Sequence, residues 1–141
     1  KLKDISDGDT ATVALRLYGI DTPEKKQMCE TEAGQCYPCG LISTQALQSL
    51  VNQKDVTIKL TGDTTWGRMV GTVEKSGKDL NLEMIKRGHA VAYLRYLKGD
   101  MKKLYKEAQA EAKQAKKGIW QGKFIKPSDW RNKGHRLDCE K

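Results

Sequence analysis

The stretch LRLYGIDTPE, residues 15–24, brings one arginine and two carboxylates to the end of a single apolar run. Loose alternation of apolar and β-branched residues predicts a strand from Thr10 to Tyr18. The Thr22-Pro23 pair ends it, because the residue before a proline avoids the helical region. In such a strand Arg16 points away from the face on which its two leucine neighbours lie.

Two other short segments carry the same side-chain types. DGDT at residues 7–10 precedes the stretch, and WGR at residues 66–68 follows it. Together the three segments supply two arginines and several carboxylates. An anionic phosphate needs guanidinium groups, a hard divalent cation needs oxygen ligands, and an attacking water needs a base. The set therefore predicts a site that cleaves a phosphodiester with the help of a metal ion.

Composition favours one globular domain with a polyanionic partner. The chain has 141 residues, 38% hydrophobic and 31% charged, which predicts a single domain over 1–141. Its net charge of +8 favours binding to nucleic acid. No apolar run approaches the ~18 residues of a membrane span. The charged start KLKD, residues 1–4, has no signal-peptide pattern, although a leader removed before this numbering would leave no trace.

Four cysteines leave three interpretations open. Cys36 and Cys39 form a C-x-x-C pair, which could be half of a zinc site or a redox pair. A redox pair would need a βαβ context, and a zinc site would need a second close pair, whereas Cys29 and Cys139 are far apart. An even count in a small basic chain favours two disulfides and an oxidising compartment. We therefore expect a secreted or periplasmic protein.

Periodicity predicts a mixture of short strands and three helices. Residues 24–40 are predicted as a cysteine-bearing loop, residues 61–67 as a second loop, and residues 120–141 as a tail packed on the domain. Asp79 or Asn81 is expected to cap the second helix, and Asp100 the third. The predicted helices are 40–52, a short one that ends at 87 and is closed by Gly88, and 100–117. The inner face of the third helix is expected to carry Met101, Leu104, Ala108, Ala112 and Ala115. The predicted later strands are 56–60, 69–74 and 90–94.

The motifs and their order resemble those of the staphylococcal nuclease family. The matching pieces are DGDT, RLYGIDTPE at residues 16–24, WGR, NLEMIKRGHA at residues 81–90, and a late lysine- and alanine-rich helix ending in GIW at residues 118–120. The resemblance covers about residues 5 to 120. It implies an α+β fold, with a five-stranded OB-type β-barrel and three helices.

The resemblance assigns roles to the charged residues. Asp9, Asp21 and the backbone carbonyl of Thr22 would hold Ca²⁺, a cation that accepts several oxygens in loose geometry. Glu24 would act as general base close to the metal. Arg16 and Arg68 would contact the scissile phosphate in the forked geometry that lysine cannot copy. Without the surrounding motif, a turn or cap role is the simpler interpretation of Asp9 and solvent exposure that of Glu24, whereas Asp21 could equally be an Asx-type turn residue.

Three aromatic residues are candidates for contact with nucleic acid. Trp66, Tyr93 and Tyr96 could stack on a base or pack beside a sugar. The tyrosines match the family's nucleotide pocket only if a one-residue gap follows Gly88, and they could instead be core aromatics. Thr65 stands where some members of the family have a phosphate-binding lysine.

The spacing between Asp9 and Arg16 departs from the family pattern. Only residues 10–15 lie between them, whereas the family has a longer β-hairpin here. The two residues would be roughly 23 Å apart in a fully extended chain, too far to share one site. Either the chain reverses in a tight turn between Thr10 and Leu15, or this sequence lacks hairpin residues, which is the alternative we favour.

The cysteine pairing is a choice among three connectivities. We expect Cys29 to pair with Cys39, which would close the loop after Glu24, and Cys36 to pair with Cys139. Family members that carry a Cys before this loop and a Cys-Gly after it partly guide this choice. A Cys36–Cys39 bridge would form a very small ring and leave the long loop slack.

These features predict a calcium-dependent endonuclease, a phosphodiesterase that cuts DNA and RNA and leaves 3′-phosphate ends. The chain is expected to act as a monomer, with no membrane partner. One alternative is a non-catalytic module of the same fold that binds nucleic acid or protein, although such modules tend to lose the arginine–glutamate set. A second alternative is a zinc-stabilised binding domain.

Overall fold

The computed structural model describes residues 2–7, 10–51 and 56–141, and the side chains from residue 14 onward within these ranges. The chain folds as a mixed α+β protein. Its strands are β1 Leu2–Asp7, β2 Thr10–Val13, β3 Leu15–Leu17, β4 Ile20–Asp21, β5 Cys29–Glu30, β6 Cys36–Tyr37, β7 Val56–Thr65, β8 Arg68–Lys75, β9 Lys78–Asp79 and β10 Val91–Ala92. Its α-helices are α1 Cys39–Val51, α2 Leu80–Lys86, α3 Gly99–Gln114 and α4 Pro127–Lys133, and 3₁₀ turns cover Leu94–Tyr96, Gly118–Gln121 and Asp138–Glu140.

The main sheet is built on the β7–β8 hairpin. Strand β8 pairs antiparallel with β7 and β9, and parallel with β3. The predicted loop over residues 61–67 is wrong for most of its length, because β7 continues through Thr65 after a register shift between Leu60 and Thr64. The hairpin thus extends beyond the expected strand and carries the WGR segment at its tip.

The described strands do not close into a barrel. The pairs β1–β2, β4–β10 and β5–β6 each form a separate two-stranded sheet. Only Ala14 separates β2 from β3, so the structure shows no tight reversal between Thr10 and Leu15, the alternative that we did not favour. Asp9 lies outside the described residues. The α+β class is confirmed, whereas the five-stranded closed barrel is not seen among these strands.

Helix α2 joins the sheet to the helical layer. Asp79 is the N-cap, and its side chain accepts a hydrogen bond from the Leu82 amide. Asn81 is buried and does not cap. Its Nδ2 donates to the carbonyls of Tyr18 and Gly71, and its Oδ1 accepts from the Val73 amide. One buried amide therefore fixes the end of β3 against β8, which an apolar residue could not do.

The principal core lies between α2, α3 and the β4 region. Helix α3 contributes Tyr105 and Ala108 to it, and Ala112 on the same helix is also buried. The predicted inner residues Leu104 and Ala115 are exposed. Asp100 lies in the first turn and does not cap α3; Lys98 occupies the N-cap without a side-chain hydrogen bond. The remaining buried core residues are Ile20, Leu82, Met84, Ile85, Ala90 and Leu97.

The C-terminal tail contains a fourth helix that the sequence did not predict. Helix α4 begins at the buried Pro127 and ends at Gly134, whose φ of 68° is in the left-handed region. The tail contacts the loop after Glu24, because the buried Gln27 donates through Nε2 to the Ile125 carbonyl. The Met28 amide donates to Glu140 in the same way. None of the described helices is long and apolar enough to cross a membrane.

Both predicted disulfides are confirmed. Cys29 pairs with Cys39, and Cys36 pairs with Cys139, with Cα–Cα distances of 5.6 and 6.0 Å. All four cysteines are therefore oxidised, which contradicts the zinc-stabilised alternative. The first bridge is buried with Ile119 in a small second core, and the second ties the tail to β6.

The two bridges should differ in their contribution to stability. They close loops with sequence separations of 10 and 103 residues. In the chain-entropy model, C36A/C139A should lower the free energy of unfolding by about 4–5 kcal/mol and C29A/C39A by about 3 kcal/mol. Urea unfolding of both double variants measures the two losses of unfolding free energy. A larger loss for C29A/C39A than for C36A/C139A would contradict the prediction.

Candidate active site in the cleft beside β3

An open cleft of about 1110 Å³ lies beside β3. Its walls come from β3, the tip of the β7–β8 hairpin, the segment 93–96 and helix α4. The structure brings together all the predicted site residues that it describes, and Asp9 alone falls outside. The predicted residues that line the cleft are Arg16, Asp21, Thr22, Glu24, Trp66, Arg68, Tyr93 and Tyr96.

The sheet places both arginines on one face. Arg16 pairs with Val70 in the parallel β3–β8 register, and Arg68 lies two residues before Val70 on β8. Since side chains alternate along a strand, Arg68, Val70 and Arg16 project to the same side of the sheet. Arg16 donates from Nη1 to the Leu17 carbonyl at 2.8 Å. Its Nη2 lies 3.8 Å from Asp21 Oδ1.

Glu24 is held at the start of a tight turn by Gln27. The Gln27 amide donates to the Glu24 carbonyl at 2.8 Å, and the Glu24 amide donates to Gln27 Oε1 at 3.1 Å. Gly40, near the start of α1, packs against the same backbone, since a Cβ there would lie 1.7 Å from the Glu24 carbonyl oxygen. A larger residue at Gly40 would therefore displace the backbone that carries Glu24.

An arginine from the tail contacts both carboxylates of the cleft. Arg131 Nη1 lies 2.5 Å from Glu24 Oε2 and 3.5 Å from Asp21 Oδ1. Its Nη2 donates to Asp21 Oδ2 at 3.2 Å. Because Nη1 reaches both side chains, the two carboxylate oxygens are no more than about 6 Å apart. Asp21 and Glu24 thus form one acidic pair.

The guanidinium groups influence one another across the cleft. Burial lowers the pKa of Arg16, and Arg68 and Arg131 lower it further, whereas Asp21 raises it. For Arg131, burial lowers the pKa, but the hydrogen bonds to Asp21 and Glu24 outweigh it and the net shift is upward. Arg16, Arg68 and Arg131 all line the cleft, so three positive groups face one space, which suits an anionic ligand.

The acidic pair has the chemistry of a hard-cation site. Carboxylates bind Ca²⁺ together with carbonyl oxygens and waters. Asp21 and Glu24 fit such an ion by their proximity, and the Thr22 backbone lines the same cleft. Within the part of the chain that the structure describes, no group of three His, Cys, Asp or Glu side chains could hold a metal. A third carboxylate ligand would have to come from residues outside this part of the chain. Asp9, which the resemblance implies as a calcium ligand, is one of those residues.

The three aromatic candidates are exposed at the mouth of the cleft. Trp66 is 94% exposed at the hairpin tip, where Trp66 and Gly67 have φ values of 48° and 75°. A positive φ is unusual for tryptophan and matches a two-residue type I′ turn. Tyr93 and Tyr96 are 38% and 57% exposed, and their ring centroids are 6.0 Å apart. They are therefore not core aromatics.

Two residues at the site escaped the sequence reasoning. Arg131 lies in the predicted tail and Gln27 in the predicted cysteine-bearing loop, and no local pattern marks either as a site residue. Their positions depend on contacts between residues about 100 positions apart in the chain, which local patterns do not encode. The one available signal was the pairing of Cys36 with Cys139, which brings the tail to this loop.

Comparison with known proteins identifies the family. The family model described as staphylococcal nuclease homologue matches residues 14–122. The chain belongs to the staphylococcal nuclease family. The match includes β3, the hairpin tip and both arginines, but it ends before α4. The prediction of a nuclease-type hydrolase is confirmed at the level of the family.

Two of three similar curated proteins are named as endonucleases. An uncharacterized endonuclease of Haemophilus influenzae is 35% identical over 90% of this chain and 69% of its own length. An uncharacterized endonuclease of Escherichia coli O157:H7 is 33% identical over 92% of this chain and 82% of its own length. Succinoglycan biosynthesis protein ExoI of Rhizobium meliloti is 37% identical over 82% of this chain, which spans 61% of that protein.

Proposed function

We propose that this chain is a calcium-dependent endonuclease that hydrolyses phosphodiester bonds in DNA and RNA and leaves 3′-phosphate ends. The observation that carries the proposal is the convergence of Arg16 and Arg68 with the Asp21–Glu24 pair in one open cleft. Membership of the family and the endonuclease names of several relatives support it. The net charge of +8 suits a polyanionic substrate.

In the proposed reaction, water attacks phosphorus while Glu24 accepts its proton. The new bond joins the water oxygen to phosphorus, and the bond from phosphorus to the 5′-oxygen breaks. The phosphate stays on the 3′ side, and the 5′-oxygen takes a proton from solvent and leaves as a hydroxyl. Arg16 binds the non-bridging oxygens, and Arg68 stabilises the charge that develops on the leaving oxygen. Asp21 and the Thr22 carbonyl would hold a cation, which would supply additional positive charge at the phosphate.

Substrate binding is assigned to the aromatic residues at the rim. Tyr93 and Tyr96 offer an exposed edge-to-face pair in the cleft that Arg16 also lines, and Trp66 offers a 94% exposed indole at the hairpin tip. Stacking tolerates any base, because every base has a π-face. This arrangement supports cleavage without strict sequence preference. Thr65 supplies no positive charge here, so the arginines carry the phosphate contacts.

The fold proposed for the whole chain is the family's five-stranded barrel. Its strands would be β1, β2, β3, β7 and β8. Three of the strand pairs that such a barrel needs, β1–β2, β3–β8 and β7–β8, occur among the described strands. Asp9 would then provide a further metal ligand. The chain is proposed to act as one monomeric domain over 1–141 in a secreted or periplasmic setting, which suits its two disulfides.

The alternative is a non-catalytic module of the same family. Such a module could bind nucleic acid through the basic cleft without hydrolysing it. The retained set of Arg16, Glu24 and Arg68 favours the enzyme, because binding alone does not require a general base beside the phosphate site. Persistent DNA binding without any product in calcium would favour the module.

Calcium should support DNA hydrolysis, and magnesium should support it poorly. The acidic pair lies in a loop and offers loose geometry, whereas magnesium demands a near-ideal octahedron and holds its waters. Rates of DNA degradation by the purified chain with Ca²⁺, with Mg²⁺ and with excess EGTA measure this. Equal rates with the two metals, or full activity in EGTA, would contradict the calcium assignment.

A further inference from the structure

We propose that Arg131 is a built-in competitor of the divalent cation, one that occupies Asp21 and Glu24 and thereby sets the cation affinity of the site. The proposal rests on the proposed function, in that it takes this acidic pair as the cation site. Arg131 lies beyond residues 14–122, the range matched by the family model. It is therefore a feature of this chain's tail rather than of the matched domain.

The contacts of Arg131 cover the oxygens that a cation would use. Its guanidinium engages both oxygens of Asp21 and one oxygen of Glu24, at distances from 2.5 to 3.5 Å. These are charge-assisted hydrogen bonds in forked geometry, the strongest kind that a carboxylate makes with a side chain. Asp21 is 8% exposed, so few other directions remain open to it.

A guanidinium and a divalent cation cannot bind Asp21 and Glu24 at the same time without strong repulsion. Both are positive, and two like charges at the same carboxylates repel each other strongly in a partly buried site. Arg16 already lies 3.8 Å from Asp21, which adds to the positive charge there. A cation that binds Asp21 and Glu24 must therefore displace Arg131. Breaking the ion pairs of Arg131 costs free energy, which weakens the net binding of the cation by the same amount.

The tail keeps Arg131 close enough to compete. The neighbouring Trp130 donates through Nε1 to Glu140 Oε2 at 2.8 Å, and the same carboxylate oxygen accepts from the Met28 amide at 2.9 Å. The Cys36–Cys139 bridge fixes the end of the tail to β6. These anchors lie on the loop that follows Glu24. They hold α4 beside the acidic pair, so Arg131 acts at a high effective concentration.

The guanidinium remains partly mobile despite these anchors. The Arg131 side chain is 38% exposed and lies at the edge of the cleft. A rotation about its side-chain bonds can carry the guanidinium into solvent without unfolding α4. Displacement by a cation is therefore a local event, and the released charge stays at the rim of a cleft that binds phosphate.

The test is Ca²⁺ binding to the full chain without nucleic acid, measured by isothermal titration calorimetry. R131Q keeps a polar side chain and removes the charge, and it should bind Ca²⁺ more tightly by on the order of tenfold, as expected for charge-assisted hydrogen bonds at a partly exposed site. R131K keeps a charge without the fork and should fall between R131Q and the parent.

The matched control is K133Q. Lys133 lies on the same helix, carries the same charge and pairs only with Asp129 among the described acidic residues. K133Q should change Ca²⁺ affinity by less than about twofold, because an exposed charge away from the site is well screened. A K133Q effect as large as that of R131Q would show that general charge, and not the Arg131 contact, sets the affinity, and would overturn the proposal.

Unchanged or weaker Ca²⁺ binding by folded R131Q would overturn the competition, as would the absence of any binding by R131Q at millimolar Ca²⁺. Circular dichroism and thermal unfolding establish whether each variant is folded. Because binding is measured without substrate, a parent chain that hydrolyses no DNA would contradict the proposed nuclease function and leave this result intact. An active parent with the same Ca²⁺ affinity as R131Q would contradict only the role of Arg131.

Discussion

Glu24→Gln is expected to lower kcat on DNA by about 10²–10⁴-fold and to leave the fold intact. The amide keeps the length of the side chain and can still accept a hydrogen bond from Arg131. It cannot take a proton from the attacking water. The Glu24 backbone should stay in place, because its hydrogen bonds to Gln27 do not involve the carboxylate. Single-turnover rates on a DNA oligonucleotide measure the effect.

The control is Asp63→Asn, which removes another carboxylate from the lining of the same cleft. Asp63 is exposed and contacts Thr61, and it does not touch Arg131, Asp21 or Glu24. Its variant should retain activity within a few-fold of the parent. A Glu24→Gln enzyme that is folded and as fast as Asp63→Asn would show that Glu24 is not the general base.

Arg16→Lys and Arg68→Lys should each reduce kcat by on the order of 10²–10³-fold, although both keep a positive charge. An ammonium cannot engage two phosphate oxygens in the forked geometry of guanidinium. Arg16→Lys should also loosen Asp21, since Arg16 approaches that carboxylate from one side. Steady-state rates, with KM and kcat separated, measure both variants.

Arg87→Lys provides the matched substitution outside the cleft. Arg87 is exposed and pairs with Glu83 on the surface of α2, so its replacement should leave both kcat and KM nearly unchanged. If Arg16→Lys and Arg68→Lys both cut DNA as fast as Arg87→Lys, the two guanidinium groups do not stabilise the transition state.

The local patterns of the sequence were sufficient for the arginine side of the site. Alternation predicted that Arg16 projects away from the face of its leucine neighbours. The WGR segment was expected at the end of a loop, and only its turn at Trp66 and Gly67 agrees with that expectation. The Asp79 cap and the Gly88 end of α2 were also readable, since capping depends on neighbouring residues. These features depend on interactions over a few residues, which is the range in which sequence patterns are informative.

The acidic side of the site depends on distant contacts and was only partly predicted. Asp21 and Glu24 were found, but Arg131 reaches them through a tail helix that periodicity did not reveal. A seven-residue helix such as α4 has too few turns to show a 3.6-residue repeat, and the tail was treated as irregular.

The core face of α3 was misjudged for a different reason. Leu104 was chosen as the apolar residue, whereas its neighbour Tyr105 is buried and donates to Asp79 Oδ2. Burial raises the pKa of Tyr105, and the hydrogen bond to Asp79 raises it further. Because its hydroxyl donates to Asp79, Tyr105 is buried without leaving an unpaired polar group.

The most direct test of phosphodiester hydrolysis in this cleft is the analysis of products formed in ¹⁸O-labelled water. Purified chain and its Glu24→Gln variant are incubated with a single-stranded DNA oligonucleotide and Ca²⁺, and the product ends are determined by mass spectrometry. We expect 3′-phosphate ends carrying one ¹⁸O atom from the parent chain, and on the order of 10²–10⁴-fold less product from the variant. No cleavage by the folded parent, 5′-phosphate products, or equal product from both proteins would contradict the account.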